Sequence, residues 1–162
     1  MNVRRCIAVA ALVAAPVLSS CGVNFGAQTD QPYNPAVGVD SRAGEVDVLN
    51  ALIVSGSDGS GTVVATLVND DETKPDTLKG VSGAGADSGL QVQLGGNTQI
   101  PAAGLLNLAD QGEVSAKGKR VVPGNFVKIT FSFDRAEAIT LDVPVVSSSN
   151  PDYKDIKVPS GS

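Results

Sequence analysis

The chain has 162 residues, room for one ordinary domain, and its 17 acidic and 12 basic side chains give a net charge of −5. If a leader that contains Arg4 and Arg5 is removed, 10 basic and 17 acidic residues are left, and the net charge becomes −7. This negative charge argues against nucleic-acid binding. Histidine is absent, which excludes Ser-His-Asp and Cys-His triads and ordinary zinc sites; paired carboxylates stay open in principle, but we predict no enzyme and no catalytic residue.

Residues 1–20 are predicted to be a lipoprotein signal peptide. An arginine pair precedes an apolar stretch over residues 7–18, which is too short to span a membrane. The stretch ends in a bacterial lipobox, an aliphatic residue and two small residues before a cysteine that accepts a diacylglycerol. The lipobox consists of Leu18, Ser19, Ser20 and Cys21. We therefore expect an acylated Cys21 in the lipid bilayer and a domain at the extracytoplasmic face of the cell membrane. The alternative is an ordinary secretory peptide with a chance cysteine.

Residues 21–44 combine the lipidated cysteine with a flexible tether rich in Asn, Gln, Gly and Pro. Cys6 is the other cysteine and leaves with the signal peptide, so no disulfide is expected in the mature domain. Residues 45–146 are predicted to form the domain, and 147–162 a polar tail.

Glycine and proline divide the domain into short strand candidates. These are Val46–Val54, Thr62–Val68, Thr77–Ser82, Leu90–Leu94, Thr98–Ile100, Leu105–Leu108, Phe126–Asp134 and Ile139–Val146. Residues 111–120 are expected to be polar and exposed, and Pro144 suggests that the last strand is at an edge or near its end. With 7–9 short strands and no long helical period, the fold class is an all-β sandwich, immunoglobulin-like or cupredoxin-like.

The alternation in Phe126–Asp134 is the clearest in the chain. One parity is entirely apolar and the other contains polar side chains, as a half-buried strand requires. The residues predicted to face the core are Val127, Ile129, Phe131 and Phe133.

Two charged clusters are candidate binding sites. The acidic cluster has hard oxygen ligands suited to Ca²⁺, but a solvated hairpin loop is the favoured interpretation because Lys74 and Pro75 interrupt the ligand spacing. It contains Asp70, Asp71, Glu72 and Asp76. The basic cluster is able to dock an acidic partner or headgroup, although a solvated loop is again the favoured interpretation. It contains Lys117, Lys119 and Arg120.

Four segments between Asp76 and Val146 occur in an order and spacing that point to a known family, and they are Asp76–Ser82, the turn Ile100–Gly104, Val122–Phe133 and Ile139–Val145. Val64–Asn69, before them, fits the same pattern. By these segments the chain resembles the PCu(A)C-type copper chaperones, in particular their actinobacterial lipoprotein branch. The resemblance implies a cupredoxin-like sandwich outside the membrane.

The family's copper ligands have no counterpart here. The resemblance implies His and Met ligands for Cu(I) from two segments, which read Gln91–Gly95 and Asp110–Val114 in this chain. With no His, and with Met1 and Cys6 in the leader, no soft donor is left for Cu(I) once Cys21 is acylated. We therefore predict no metal ligand and no cofactor.

Two functions follow from these observations. The first is a non-catalytic module that binds a membrane or envelope protein, with an envelope or respiratory complex as the candidate partner. The alternative is a copper chaperone-like or small-ligand carrier that keeps the family role with non-standard ligands.

Overall fold

A computed structural model describes residues 37–56, 58–110 and 114–159, and in this part of the chain ten strands and two short 3-10 helices form an all-β fold. The predicted fold class, a β-sandwich of the cupredoxin or immunoglobulin type, is confirmed. The strands are β1 Val39–Ser41, β2 Val46–Ser55, β3 Ser60–Asn69, β4 Asp76–Gly83, β5 Gln91–Leu94, β6 Gln99–Ile100, β7 Leu105–Asn107, β8 Val114–Lys117, β9 Phe126–Phe133 and β10 Ile139–Ser147. The 3-10 helices are Gly85–Asp87 and Pro151–Tyr153. None of the helices in the described residues is long and apolar enough to cross a bilayer.

The strands are arranged in two layers that share β10. Strands β5, β8, β3 and β2 run side by side in the first layer, with β1 against β2 and β7 against β3. Strands β9, β4 and β6 continue from β10 in the second layer. The apolar faces of both layers pack together, because alternate residues along each strand point to the same side of a sheet.

Strand β10 changes its partner partway along its length. Residues Ile139–Pro144 pair antiparallel with β9, whereas Val145–Ser147 pair parallel with β2. Pro144 therefore lies at the end of the ladder with β9, where the strand passes from one layer to the other. The expected edge position is wrong, because β10 has neighbours on both sides, whereas the expected position near an end holds for the β9 ladder. A missing N–H is tolerated there because the pairing with β9 ends at this residue.

The predicted core face of β9 is confirmed. Its four apolar residues of one parity are all buried, and Phe131, the largest, is completely buried. The side chains of the opposite parity are partly or fully exposed, and the exposed fraction of Phe126 is 54%.

The prediction of a polar, exposed segment over residues 111–120 is wrong for part of it. Val114 and Ala116 are buried, and β8 pairs with both β3 and β5. Four residues with one valine and one alanine facing inward give too weak an alternation to indicate a strand. The structured region also reaches into residues 21–44, the predicted tether, because β1 pairs with β2.

Candidate functional site

The two segments in which the sequence resemblance implied ligands, around β5 and β8, are neighbours in the fold. β5 and β8 form an antiparallel ladder in which Leu94 pairs with Val114 and Gln93 with Ser115. Asp110 precedes this ladder at the end of the turn after β7. Residues 111–113 lie outside the described part of the chain.

A groove of about 690 Å³ lies beside this end of the β5–β8 ladder, and we call it the tail groove. It is bounded by Gln93–Gly95, Leu108–Asp110, Val114–Ser115, Thr62 and Asp155–Pro159. Its lining combines apolar side chains with a small number of carboxylates, amides and hydroxyls. Such a mixture is typical of sites for small organic ligands.

The C-terminal segment forms one wall of the tail groove. The hydroxyl of Thr62 donates to the carbonyl oxygen of Lys157 at 2.6 Å, and the hydroxyl oxygen of Ser60 lies 3.0 Å from the carbonyl oxygen of Pro159. Ile156 and Val158 are partly buried. The segment after β10 is polar in sequence, but its backbone carbonyls bind it to β3.

The donors of the tail groove do not fit Cu(I). Its polar side chains supply carboxylate, amide and hydroxyl oxygens, which are hard donors, and one ammonium group, whereas Cu(I) prefers thioether, thiolate or imidazole. These side chains are those of Thr62, Gln93, Asp110, Ser115, Asp155 and Lys157. The Asp110 carboxylate already accepts a hydrogen bond from the Asn107 amide at 3.0 Å. Throughout the described ranges, no group of three His, Cys, Asp or Glu side chains is placed to hold a metal ion.

The acidic cluster is part of the framework of the fold. Asp71 accepts hydrogen bonds from the backbone and hydroxyl of Thr73 and pairs with Arg135 at 2.7 Å, and these bonds hold the pKa of Asp71 far below 3.8. Buried Asp76 binds the turn after β9, and Asn69 donates to the carbonyl oxygen of Lys74 at 2.8 Å. The segment is a loop between β3 and β4, but it is not the solvated hairpin loop that the sequence favoured, because β3 and β4 lie in different layers and do not pair, and because Asp76 is buried. The hydrogen bonds of Asp71 and Asp76 within the protein favour a structural role over a Ca²⁺ site.

The basic cluster lies at the opposite end of the β5–β8 ladder, where Lys117 pairs with Gln91. Lys117, Lys119 and Arg120 line a second groove of about 610 Å³. The sequence favoured a solvated loop and did not indicate this groove, because part of its lining is distant in sequence from the basic cluster. That part consists of Ala86, Asp87, Gly89, Leu90 and Gln91.

The lipobox residues Leu18, Ser19 and Ser20, together with the predicted lipidation site Cys21, lie outside the described residues. The lipid anchor stays a prediction from the sequence.

Solved PCuAC domains have the same fold as this chain. The copper-bound PCuAC domain from PmoF2 is 20% identical, with a TM-score of 0.56 over 67% of this chain and 98% of that domain. The apo PCuAC domain from PmoF1 is 19% identical, with a TM-score of 0.55 over 67% and 99%. The apo PmoF2 PCuAC domain is 18% identical, with a TM-score of 0.53 over 68% and 97%. At these identities the likeness establishes the fold. No family model matches the chain, and no curated protein sequence matches it.

Proposed function

We propose that this chain is a lipid-anchored carrier domain at the extracytoplasmic face of the cell membrane. Its general role is that of the copper chaperone-like carriers, and its tail groove holds a small ligand other than Cu(I). The observation that carries this proposal is the position of the tail groove. The groove lies beside the β5–β8 ladder, in which Leu94 pairs with Val114, and these two strands belong to the segments where the sequence resemblance implies ligands.

The donor atoms of the tail groove suit an organic ligand better than Cu(I). Carboxylate, amide and hydroxyl oxygens from Asp110, Asp155, Gln93 and Ser115 suit the polar groups of an organic molecule. Leu94, Leu108 and Val114 supply apolar surface beside them. Polar groups beside an apolar surface can orient an organic ligand, and no soft metal donor is needed for this.

Anchoring of the carrier rests on the sequence of its first 21 residues. The apolar stretch and the lipobox favour acylation of Cys21, and we expect residues 22–38, between that cysteine and β1, to act as the tether. Coil scaling assigns a tether of about 17 residues a reach of roughly 23 Å, which is long enough to hold a domain away from a lipid surface.

The test is native mass spectrometry of the full-length chain, extracted from membranes in a neutral detergent. We expect a bound small molecule, retained by the control Ser82→Phe and lost in Ser115→Phe. Ser115 lines the tail groove and Ser82 is exposed on β4, so the two variants add the same bulk at different places. Absence of any bound mass in the unmodified chain contradicts the carrier function.

A copper titration in the presence of a sub-micromolar chelator completes the test. We expect the chelator to remove all Cu(I) from the chain, because hard oxygen donors compete poorly for a soft ion. A stoichiometric copper complex that survives the chelator shows instead that the chain is a copper carrier with non-standard ligands.

A partner-binding module is the second candidate, and exposed apolar side chains favour it. Leu105 and Phe126 are 56% and 54% exposed, and β5 is at the edge of the first layer. Large exposed apolar groups and open strand edges are typical of interaction surfaces. The structural likeness to copper-binding domains supports the carrier more directly. Crosslinking in native membranes distinguishes the two, because a module gives one reproducible protein adduct that Phe126→Ser removes.

A further inference from the structure

The second groove, which we call the basic groove, is concave and carries three cations on one wall. Lys117, Lys119 and Arg120 form that wall, and the rest of the lining comes from Asp58, Gly59, Ala86, Asp87, Gly89, Leu90, Gln91 and Gly118. Three basic residues of an acidic protein therefore line one groove of about 610 Å³. Clustered cations in a concave site raise the local concentration of anions.

The guanidinium of Arg120 is held in place from two sides. Its Nε lies 3.6 Å from the Asp87 carboxylate, and its Nη2 donates to the carbonyl oxygen of Phe126 at 2.8 Å. The side chain is still 52% exposed. A guanidinium has five N–H donors, so donors stay available to a ligand. Because its orientation is already fixed, little conformational entropy is lost when a ligand binds.

The two carboxylates of the basic groove are engaged by the fold. Asp87 is buried, and its second oxygen accepts the backbone N–H of Lys128 at 2.9 Å. Asp58 accepts the backbone N–H and the hydroxyl of Ser60, at 3.0 and 2.6 Å. These bonds engage both oxygens of Asp87 and one oxygen of Asp58. With three cations against two carboxylates, the groove has a net charge of +1 on a chain whose net charge is −5.

We propose that the basic groove binds a ligand that carries a phosphate group. A phosphate has nearly two negative charges at neutral pH and three acceptor oxygens, which matches a fixed guanidinium flanked by lysines better than a single carboxylate does. Lys119 is exposed and takes part in none of the ion pairs formed among the described residues. This site goes beyond the proposed carrier function, because it lies at the other end of the β5–β8 ladder.

The experiment follows backbone amide shifts of the full-length chain in neutral detergent micelles while inorganic phosphate replaces chloride at constant ionic strength. We expect saturable shifts at residues 117–120 and at Gly89. Lys119→Gln should weaken binding about tenfold, as expected for the loss of one charge-assisted hydrogen bond. Arg120→Lys keeps the positive charge but loses the planar guanidinium with its paired N–H donors, and should weaken phosphate binding by a similar factor. The matched control is Lys154→Gln, an exposed lysine outside the groove.

A second arm uses micelles doped with phosphatidylglycerol instead of inorganic phosphate. Shifts in this arm alone, sensitive to Lys119→Gln, identify a lipid headgroup as the source of the phosphate, and shifts with inorganic phosphate identify a soluble ligand. Both outcomes support the site. The proposal is overturned if neither probe gives saturable shifts at residues 117–120, or if Lys154→Gln weakens binding as much as Lys119→Gln.

Discussion

The buried carboxylate of Asp76 should determine part of the acid sensitivity of the domain. One oxygen accepts the backbone N–H groups of Thr77 at 2.6 Å and of Asp134 and Arg135 at 3.1 Å each. The other oxygen accepts the N–H of Ala136 at 2.9 Å. These bonds join the start of β4 to the turn between β9 and β10.

Asp76→Asn keeps one acceptor oxygen but places an amide NH₂ against the N–H of Ala136. One charge-assisted hydrogen bond is lost, a buried donor is left unsatisfied, and the three remaining bonds lose their charge. Hydrogen bonds to charged groups contribute about 1.5–3 kcal/mol each, so we expect a loss of about 2–4 kcal/mol in the free energy of unfolding at pH 7.

The loss should depend on pH. Burial acts to raise the pKa of Asp76, but the four backbone N–H groups outweigh it, and the pKa lies below its ordinary value of 3.8. The stabilisation is therefore fully present above that value and decreases as the pH falls toward the folded-state pKa.

Urea denaturation of both proteins at pH 7 and near pH 3 measures this difference. The difference in unfolding free energy should be smaller at the lower pH, because Asn does not titrate. Asp142→Asn is the control, since Asp142 is exposed and forms a surface ion pair with Lys128, which should contribute at most about 1 kcal/mol. An equal difference at both pH values would refute the role assigned to the ionised Asp76 carboxylate.

Three further predictions concern the core, a close backbone approach and the anchor. Phe131→Ala should cost about 3–5 kcal/mol of unfolding free energy and Lys128→Ala well under 1, and equal urea midpoints would show that the facing of β9 is wrong. Gly83→Ala should destabilise the domain because its Cβ collides with the Asp87 backbone, whereas Gly80→Ala, with open space around it, should be tolerated in thermal unfolding. Cys21→Ser should leave the chain unprocessed or released, and an unmodified Cys21 in the intact mass of the membrane-bound protein would contradict the lipid anchor.

Hydrophobic alternation was sufficient to predict the long strands. In β9 every second residue is apolar, and the buried face follows directly from that pattern. β8 was missed because a four-residue strand with Val114 and Ala116 as its inward residues resembles a polar loop. β1 was missed for a different reason, because a contact between residues distant in sequence holds its start in place. The side chain of Asn50, a residue in the left-handed conformation, accepts the N–H of Gly38 at 3.0 Å.

The candidate sites were less accessible from the sequence than the strands. The absence of His, Met and Cys from Gln91–Gly95 is evident from the sequence, because it depends on residue types alone. The tail groove could not be predicted, since its wall is bound through backbone carbonyls of Lys157 and Pro159, which every sequence possesses. The basic groove depends on Arg120 and Asp87, which are 33 positions apart and are brought together by the fold.

The change of partner along β10 has a consequence for the order in which the molecule is completed. β2 acquires β3 as a neighbour early in synthesis, but its contact with Val145–Ser147 must wait until nearly the whole chain is available. Among the described strands, β10 is the one that pairs with a strand of each layer. A nascent or truncated chain that lacks Ile139–Ser147 therefore lacks this pairing between the layers and leaves uncovered the core surface against which Ile139, Val143 and Val145 pack, which makes it a target for chaperones and proteases.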